Sequence, residues 1–340
     1  MIKFKIYGIF LILIILLSGC SSKTPQEATG TDSNINNSNF DNDDDIVPNK
    51  EGTGKDPESI SFDYDKNYSL EEIPAPDVEI GAPSGICVFN DILVVCDKKN
   101  SCLVLLDKDC NFIKKIGNLG MGPLEFTEPT GITVFNNNLY ILDAGNNRIQ
   151  ILDSAYKYID EIPLNEFIHK SEYIDLSVDK NGIIYVSTYA SVQTEAHIFR
   201  VENKKIEELE QTFIGHLYSY NGTVYAVNIQ ELDQGGSTEW ASNGKNYLYR
   251  IEDQKLVEIK ELPYKYTPAG ICIYNNKLYT SSGLWMRVDI FTMEGKLENP
   301  VTALPTTTMD RYLSVFDENH IYCTDLNRPS IFKITKAETK

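Results

Sequence analysis

The sequence predicts an all-β fold, a six-bladed β-propeller with four-stranded antiparallel blades, and three observations lead there. A strand–turn–strand unit recurs six times at intervals of roughly 40–54 residues. Each copy alternates apolar residues around an Asn/Asp/Gly turn, which is the pattern of an antiparallel hairpin. The last copy lacks a fourth strand, and a segment resembling that strand precedes the first copy. A unit this short cannot bury its own apolar face, so it must stack on its neighbours.

Taken in order, the first strands of the copies begin at Gly85, Gly131, Asp175, His216, Gly270 and Tyr312. After the turn, each second strand resumes with an apolar or aromatic residue: Val94, Tyr140, Tyr185, Tyr225, Tyr279 and Tyr322. A third and fourth strand follow in most copies, as in RIQILD and then YIDEIPL of the second. Four antiparallel strands repeated radially make propeller blades. The sixth copy ends after Ser330–Lys336. The segment YSLEEIP, residues 68–74, looks like the outer strands YIDEIPL and LVEIKELP, and is expected to complete blade six and close the ring. Closure removes exposed sheet edges.

The second copy carries GPLEF, then Pro-x-Gly-Ile, then LYILDAGNNRIQILD. These residues resemble the NHL repeat, and residues of about 68–336 resemble a six-bladed NHL-type propeller. Blade five keeps the motif's start as Pro268-Ala-Gly-Ile271, whereas blades three and four have lost most of it. The resemblance implies a binding platform. A minority of related propellers are lactonases or lyases with a metal in the central channel. It also implies a structural role for Asp143, Asn147 and Arg148, which match the residues that define the motif.

Residues 1–19 read as a targeting segment. Lys3 and Lys5 precede the apolar run Ile6–Leu17, and Leu17-Ser-Gly-Cys20 resembles a bacterial lipobox. That resemblance implies cleavage before Cys20 and lipidation of its thiol, with the membrane lipid as the first partner. The run is short for a membrane span. Residues 20–66 are polar, with almost no large apolar residue before Ile46, and read as a flexible acidic tether. A coil of that length reaches about 35–40 Å. The propeller is expected over 67–337, with a short tail at 338–340. The expected location is therefore the extracytoplasmic face of a membrane.

The chain carries 31 basic and 49 acidic residues, a net charge of −18. That balance disfavours nucleic acid as a partner. Of seven cysteines, six remain after lipidation, and Cys96 and Cys102 bracket a turn, so a disulfide between them is one expectation and buried free thiols the other.

No nucleophile elbow, zinc-protease motif or phosphate loop is present, so no catalytic residue is assigned. Strand parity places the loops that lead into each blade on one face, together with the loops between second and third strands. The long segments 117–129, 143–148, 228–246 and 281–287 share that face. Long loops tend to carry function, so Trp240, Trp285, Arg287, Arg148 and Glu128 are candidate ligand contacts, Trp and Arg being common interface anchors. The alternative is that the tryptophans pack onto the blades. At the channel mouth three glycines leave room, while Asp175 and His216 occupy matched places in adjacent blades. This pair, with Glu128 and Glu172 nearby, offers the only candidate for a divalent cation or a general base; the alternative is a hydrogen-bonded structural pair. No cofactor is assigned. The favoured reading is non-catalytic recognition of a protein, peptide or glycan. A lactonase- or lyase-type enzyme and an envelope assembly component are the alternatives.

Overall fold

The computed structural model describes residues 64–164, 173–189, 196–229, 246–263, 266–283, 285–305, 311–326 and 329–337. The targeting segment, Cys20 and nearly all of the tether lie outside them. Among the described residues no helix is long and apolar enough to cross a membrane.

The strands form six four-stranded antiparallel sheets. Blade one comprises β2 (Pro83–Phe89), β3 (Ile92–Asp97), β4 (Cys102–Leu106) and β5 (Phe112–Ile116). Two short strands, β6 (Asn118–Leu119) and β7 (Glu125–Phe126), lead into blade two. That blade holds β8 (Pro129–Phe135), β9 (Asn138–Asp143), β10 (Arg148–Leu152) and β11 (Tyr158–Pro163). Blade three holds β12 (Tyr173–Val178) to β15 (Lys205–Thr212), and blade four β16 (Gly215–Tyr220) to β19 (Lys255–Glu261). Blade five holds β20 (Pro268–Tyr274) to β23 (Leu297–Ala303), and blade six β24 (Leu313–Asp317) to β26 (Ser330–Lys336). The first strands contact one another in chain order, and β2 meets β24, so they form the inner ring.

The expected closure holds. Strand β1 (Tyr68–Pro74) runs antiparallel to β26, from Tyr68 opposite Lys336 to Pro74 opposite Ser330, and supplies the fourth strand of blade six. The hairpins between first and second strands turn on Asn90-Asp91, Asn136-Asn137, Asn221-Gly222 and Asn275-Asn276, all at positive φ. Asn, Asp and Gly tolerate that region best, which is why the turns could be read from composition.

The core lies between blades. One cluster joins Val94, Leu103 and Leu105 of blade one to Ile132, Leu139 and Ile141 of blade two. Another joins Tyr279, Val288 and Ile290 of blade five to Val315, Ile321 and Phe332 of blade six. Every adjacent pair of blades shares such a cluster, including the pair that closes the ring, where Ile86, Leu93 and Val104 meet Tyr322 and Ile331. Each blade thus buries both faces, as stacking of an incomplete unit requires.

The expected disulfide is corrected. Cys96 pairs with Leu103, and Cys102 pairs with Asp97, so the two cysteines are offset by one residue. An offset of one sends side chains to opposite faces of a sheet. Cys96 faces blade two and Cys102 faces blade six, and both are free thiols. Burial pushes the Cys102 thiol up to about 11 and the Cys110 and Cys323 thiols up to about 12, so they behave as small apolar residues.

Candidate functional site

The inner strands all run from an upper face, where the loops leading into the blades lie, to a lower face that carries the hairpin turns. On the upper face, buried carboxylates organise the loops. Asp97 accepts the amides of Gly81, Ala82 and Asn100 at 2.8–3.1 Å and the Asn100 side chain at 2.7 Å. Asp143 repeats this in blade two, with the Thr127 amide at 2.7 Å and the Asn146 side chain at 2.9 Å. The spacing Asp-x-x-Asn is therefore a local turn device that also holds the chain arriving from the previous blade.

Arg148 serves the same device. Its Nε donates to Asp143 at 2.8 Å, and its terminal nitrogens donate to the carbonyls of Met121, Gly122 and Glu125 at 2.6–2.9 Å and to Glu161 at 2.6 Å. The guanidinium is buried and its donors are committed to the loop that leads into blade two. For Asp143 and Arg148 the geometry is that of the structural role the repeat resemblance implies, whereas the Asn147 side-chain oxygen is buried without a hydrogen bond to the described residues.

Trp285 and Arg287 lie inside blade five rather than on a contact surface, because their loop folds inward. Trp285 is 3% exposed and Arg287 fully buried. The guanidinium stacks over the indole at 4.6 Å and pairs with Asp289 at 2.7 Å. Tyr266 donates to the same Asp289 oxygen at 2.7 Å and meets the indole edge-on. Burial pushes the Asp289 carboxyl up, and Arg287 opposes that shift. Arg311 and Asp325 form another fully buried pair, in blade six, at 3.2 Å. Glu128 is exposed, with a positive φ and its amide 3.4 Å from the Ser101 hydroxyl. Trp240 and Glu172 lie outside the described residues.

Asp175 and His216 do meet. His216 Nδ1 lies 3.3 Å from Asp175 Oδ2, and both residues are buried. The carboxylate also accepts the Leu176 amide at 2.9 Å and the Leu217 amide at 3.3 Å. Their position follows from a register slip between Tyr173 and Asp175 at the start of β12. Ile174 drops out of the ladder, and its carbonyl accepts the hydroxyl of Tyr312 at 2.6 Å. Tyr312 belongs to blade six and Ile174 to blade three, which lie opposite in a six-membered ring. The tyrosine therefore spans the channel, and its ring packs edge-on against His216 at 4.9 Å.

The three glycines do not leave open space, which corrects that expectation. A Cβ on Gly85 would sit 2.2 Å from the Thr130 carbonyl, and one on Gly270 would sit 2.7 Å from Leu313. A Cβ on Gly131 would come within 3.0 Å of the Asp175 carboxylate. The glycines let the next blade approach, and the neighbour fills the gap.

Below Tyr312 the channel opens into a cavity of about 300 Å³, bounded by the inner strands of all six blades. Apart from the half-buried Tyr312, exposure rises toward the lower face. Asp175, His216 and Leu217 are buried, whereas Cys87, Thr133, Tyr218, Ser219, Tyr274 and Phe316 are half-buried. The sequence placed the Asp–His pair in the channel. It missed Tyr312 as a bridge and the lower-face rings as cavity wall, because the lining runs through consecutive residues of each inner strand, such as His216 to Ser219, and alternation does not single them out. Among the described residues, no three His, Cys, Asp or Glu side chains gather closely enough to hold a metal ion.

Inner ring, interleaved cores and strand-swap closure define the class as a six-bladed β-propeller. The chain belongs to the DUF5128 family, described as a 6-bladed beta-propeller, which matches residues 75–300. Among solved structures, a Bacteroides fragilis protein described as exported is similar at 12% identity, with a TM-score of 0.54 over 82% of this chain and 98% of that one. Virginiamycin B lyase from Staphylococcus aureus is similar at 14% identity, with a TM-score of 0.52 over 79% of this chain and 99% of that one. The PQQ-bound aldose sugar dehydrogenase of Streptomyces coelicolor is similar at 12% identity, with a TM-score of 0.50 over 79% and 98%. At such identities the likeness concerns the fold alone. No curated protein matches the chain.

Proposed function

We propose that this propeller is a non-catalytic binding module, an NHL-like platform held at the extracytoplasmic face of a membrane by a lipidated Cys20 and an acidic tether. It engages a protein, peptide or glycan partner through the lower end of its channel. The observation that carries this reading is the gradient of exposure along the inner strands. It leads from the buried Asp175–His216 pair to half-buried Tyr218, Tyr274 and Phe316 around a cavity of about 300 Å³. A cavity of that size, with aromatic rings and convergent polar groups on its wall, suits a ligand side chain or a single ring. The upper-face residues first considered as contacts, Arg148, Trp285 and Arg287, are buried and committed to contacts within their own blades and entry loops.

The anchor and the platform are tested separately. Cys20→Ala should move the protein from the membrane fraction to the soluble one; an unchanged fractionation removes the anchor. Ser219→Trp narrows the lower end of the channel and should abolish capture of a cell-surface partner, whereas Met121→Ala, on the exposed upper loop, should not. The reverse pattern overturns the placement.

A further inference from the structure

The channel contains a buried ring nitrogen with no hydrogen-bond partner among the described residues. His216 is 2% exposed and lines the cavity, and among the described residues its Nε2 has no hydrogen-bond partner. An ionised carboxylate only accepts, so the contact between Nδ1 and Asp175 Oδ2 makes Nδ1 the donor. In the neutral ring Nε2 then carries a lone pair. Asp175 is fixed by two backbone amides, and Tyr312 holds the imidazole edge-on while its own hydroxyl donates to the Ile174 carbonyl. The ring is thus oriented by its neighbours, and an acceptor left unpaired in a buried site is costly.

From this arrangement we infer that the channel recognises an aromatic ring bearing an O–H or N–H donor, with His216 Nε2 as the acceptor and Asp175 as the residue that orients it. The inference rests on the channel reading above. Among the described residues no lysine or arginine lines the cavity, and the carboxylate sits at its closed end, so an anion is disfavoured. Tyr218, Tyr274 and Phe316 supply ring faces and edges for a flat apolar body. The same donor-bearing ring occurs on a free phenol and on the tyrosine side chain of a partner chain.

Calorimetry on the full chain separates these outcomes, with p-cresol and toluene as paired probes of equal ring and different donor. The expected result is p-cresol binding at least about tenfold tighter than toluene, a difference lost in His216→Phe. Equal affinities for the two probes overturn the hydrogen-bond inference and leave the channel reading standing. Binding of neither overturns both. The peptides Gly-Gly-Tyr-Gly-Gly and Gly-Gly-Phe-Gly-Gly decide the source. A matching preference for tyrosine assigns the site to a partner side chain, and peptides that fail where p-cresol binds assign it to a free small molecule. Should His216→Phe not fold, nitrogen NMR of histidine-labelled wild type gives the same answer. The His216 Nε2 resonance should move with p-cresol and not with toluene, and an unmoved resonance at saturating p-cresol overturns the inference.

Discussion

The two ends of the channel are built from the same six strands and behave differently. At the upper end, side chains close on the fold itself: Tyr312 reaches the opposite blade, Arg311 and Asp325 pair without exposure, and glycines admit the neighbouring backbone. At the lower end, rings and hydroxyls stand half-exposed around free volume. The polar residues that attract attention in the sequence cluster at the upper end, where Asp97, Asp143 and Arg148 spend their hydrogen bonds on the fold. Hydrogen-bond demand already met within the fold marks scaffold, whereas wall residues beside unfilled space mark a binding surface.

If that contrast is right, substitutions near the upper face register first in stability and those at the lower face in binding. The largest effect is expected for Arg287→Ala. It strands the buried Asp289 carboxyl, and breaking such a pair costs about 3–5 kcal/mol, read by denaturant unfolding. Arg148→Ala comes next, at about 2–3 kcal/mol for the loss of charge-assisted bonds, with new proteolytic cleavage within 117–126. Tyr312→Phe keeps the ring against His216 and removes one hydrogen bond. It should cost about 1 kcal/mol, or about 2–4 °C in melting temperature.

At the lower face, the Asp317 carboxyl near the end of β24 gives a smaller, pH-dependent effect. Partial burial pushes it up, but hydrogen bonds from His320, at 2.7 Å, and from the Asn319 amide outweigh this and hold it below its ordinary value. A carboxyl depressed in the folded state stabilises above its unfolded value and loses that contribution as pH falls through the folded one. Melting curves of wild type and Asp317→Asn should therefore differ at neutral pH and converge below about pH 4. Ser219→Trp should be the mildest for stability, within about 0.5 kcal/mol, while excluding p-cresol. A large loss of stability there would mean that the lower end is also scaffold.

Much of the fold could be read from the residues because its signals are local. Asn-rich turns, period-two alternation and the outer-strand likeness of Tyr68–Pro74 each lie within a few residues, and the closure they implied is the one seen. The meeting of Asp175 and His216 was legible from repeat alignment, since equivalent positions in adjacent blades are neighbours. Other features depend on contacts that spacing does not encode. Whether Trp285 turns outward or inward is decided by Tyr266, which meets it edge-on, and Arg287, which stacks over it. The bridge from Tyr312 to Ile174 joins residues 138 apart and exists because a register slip frees one carbonyl. The offset of Cys96 and Cys102 likewise arises from strand register, which a turn length of uncertain type does not fix.

The most direct test of the channel as the binding site is to map where a donor-bearing ring lands. The full chain would be irradiated with 4-azidophenol, with excess p-cresol as competitor, and the adducts located by peptide mass spectrometry. Adducts that p-cresol suppresses are predicted on the inner strands, within 86–88, 217–219, 271–274 and 312–316. Adducts concentrated on the upper loops, around 117–126 or 281–287, or labelling that p-cresol does not suppress, would contradict it.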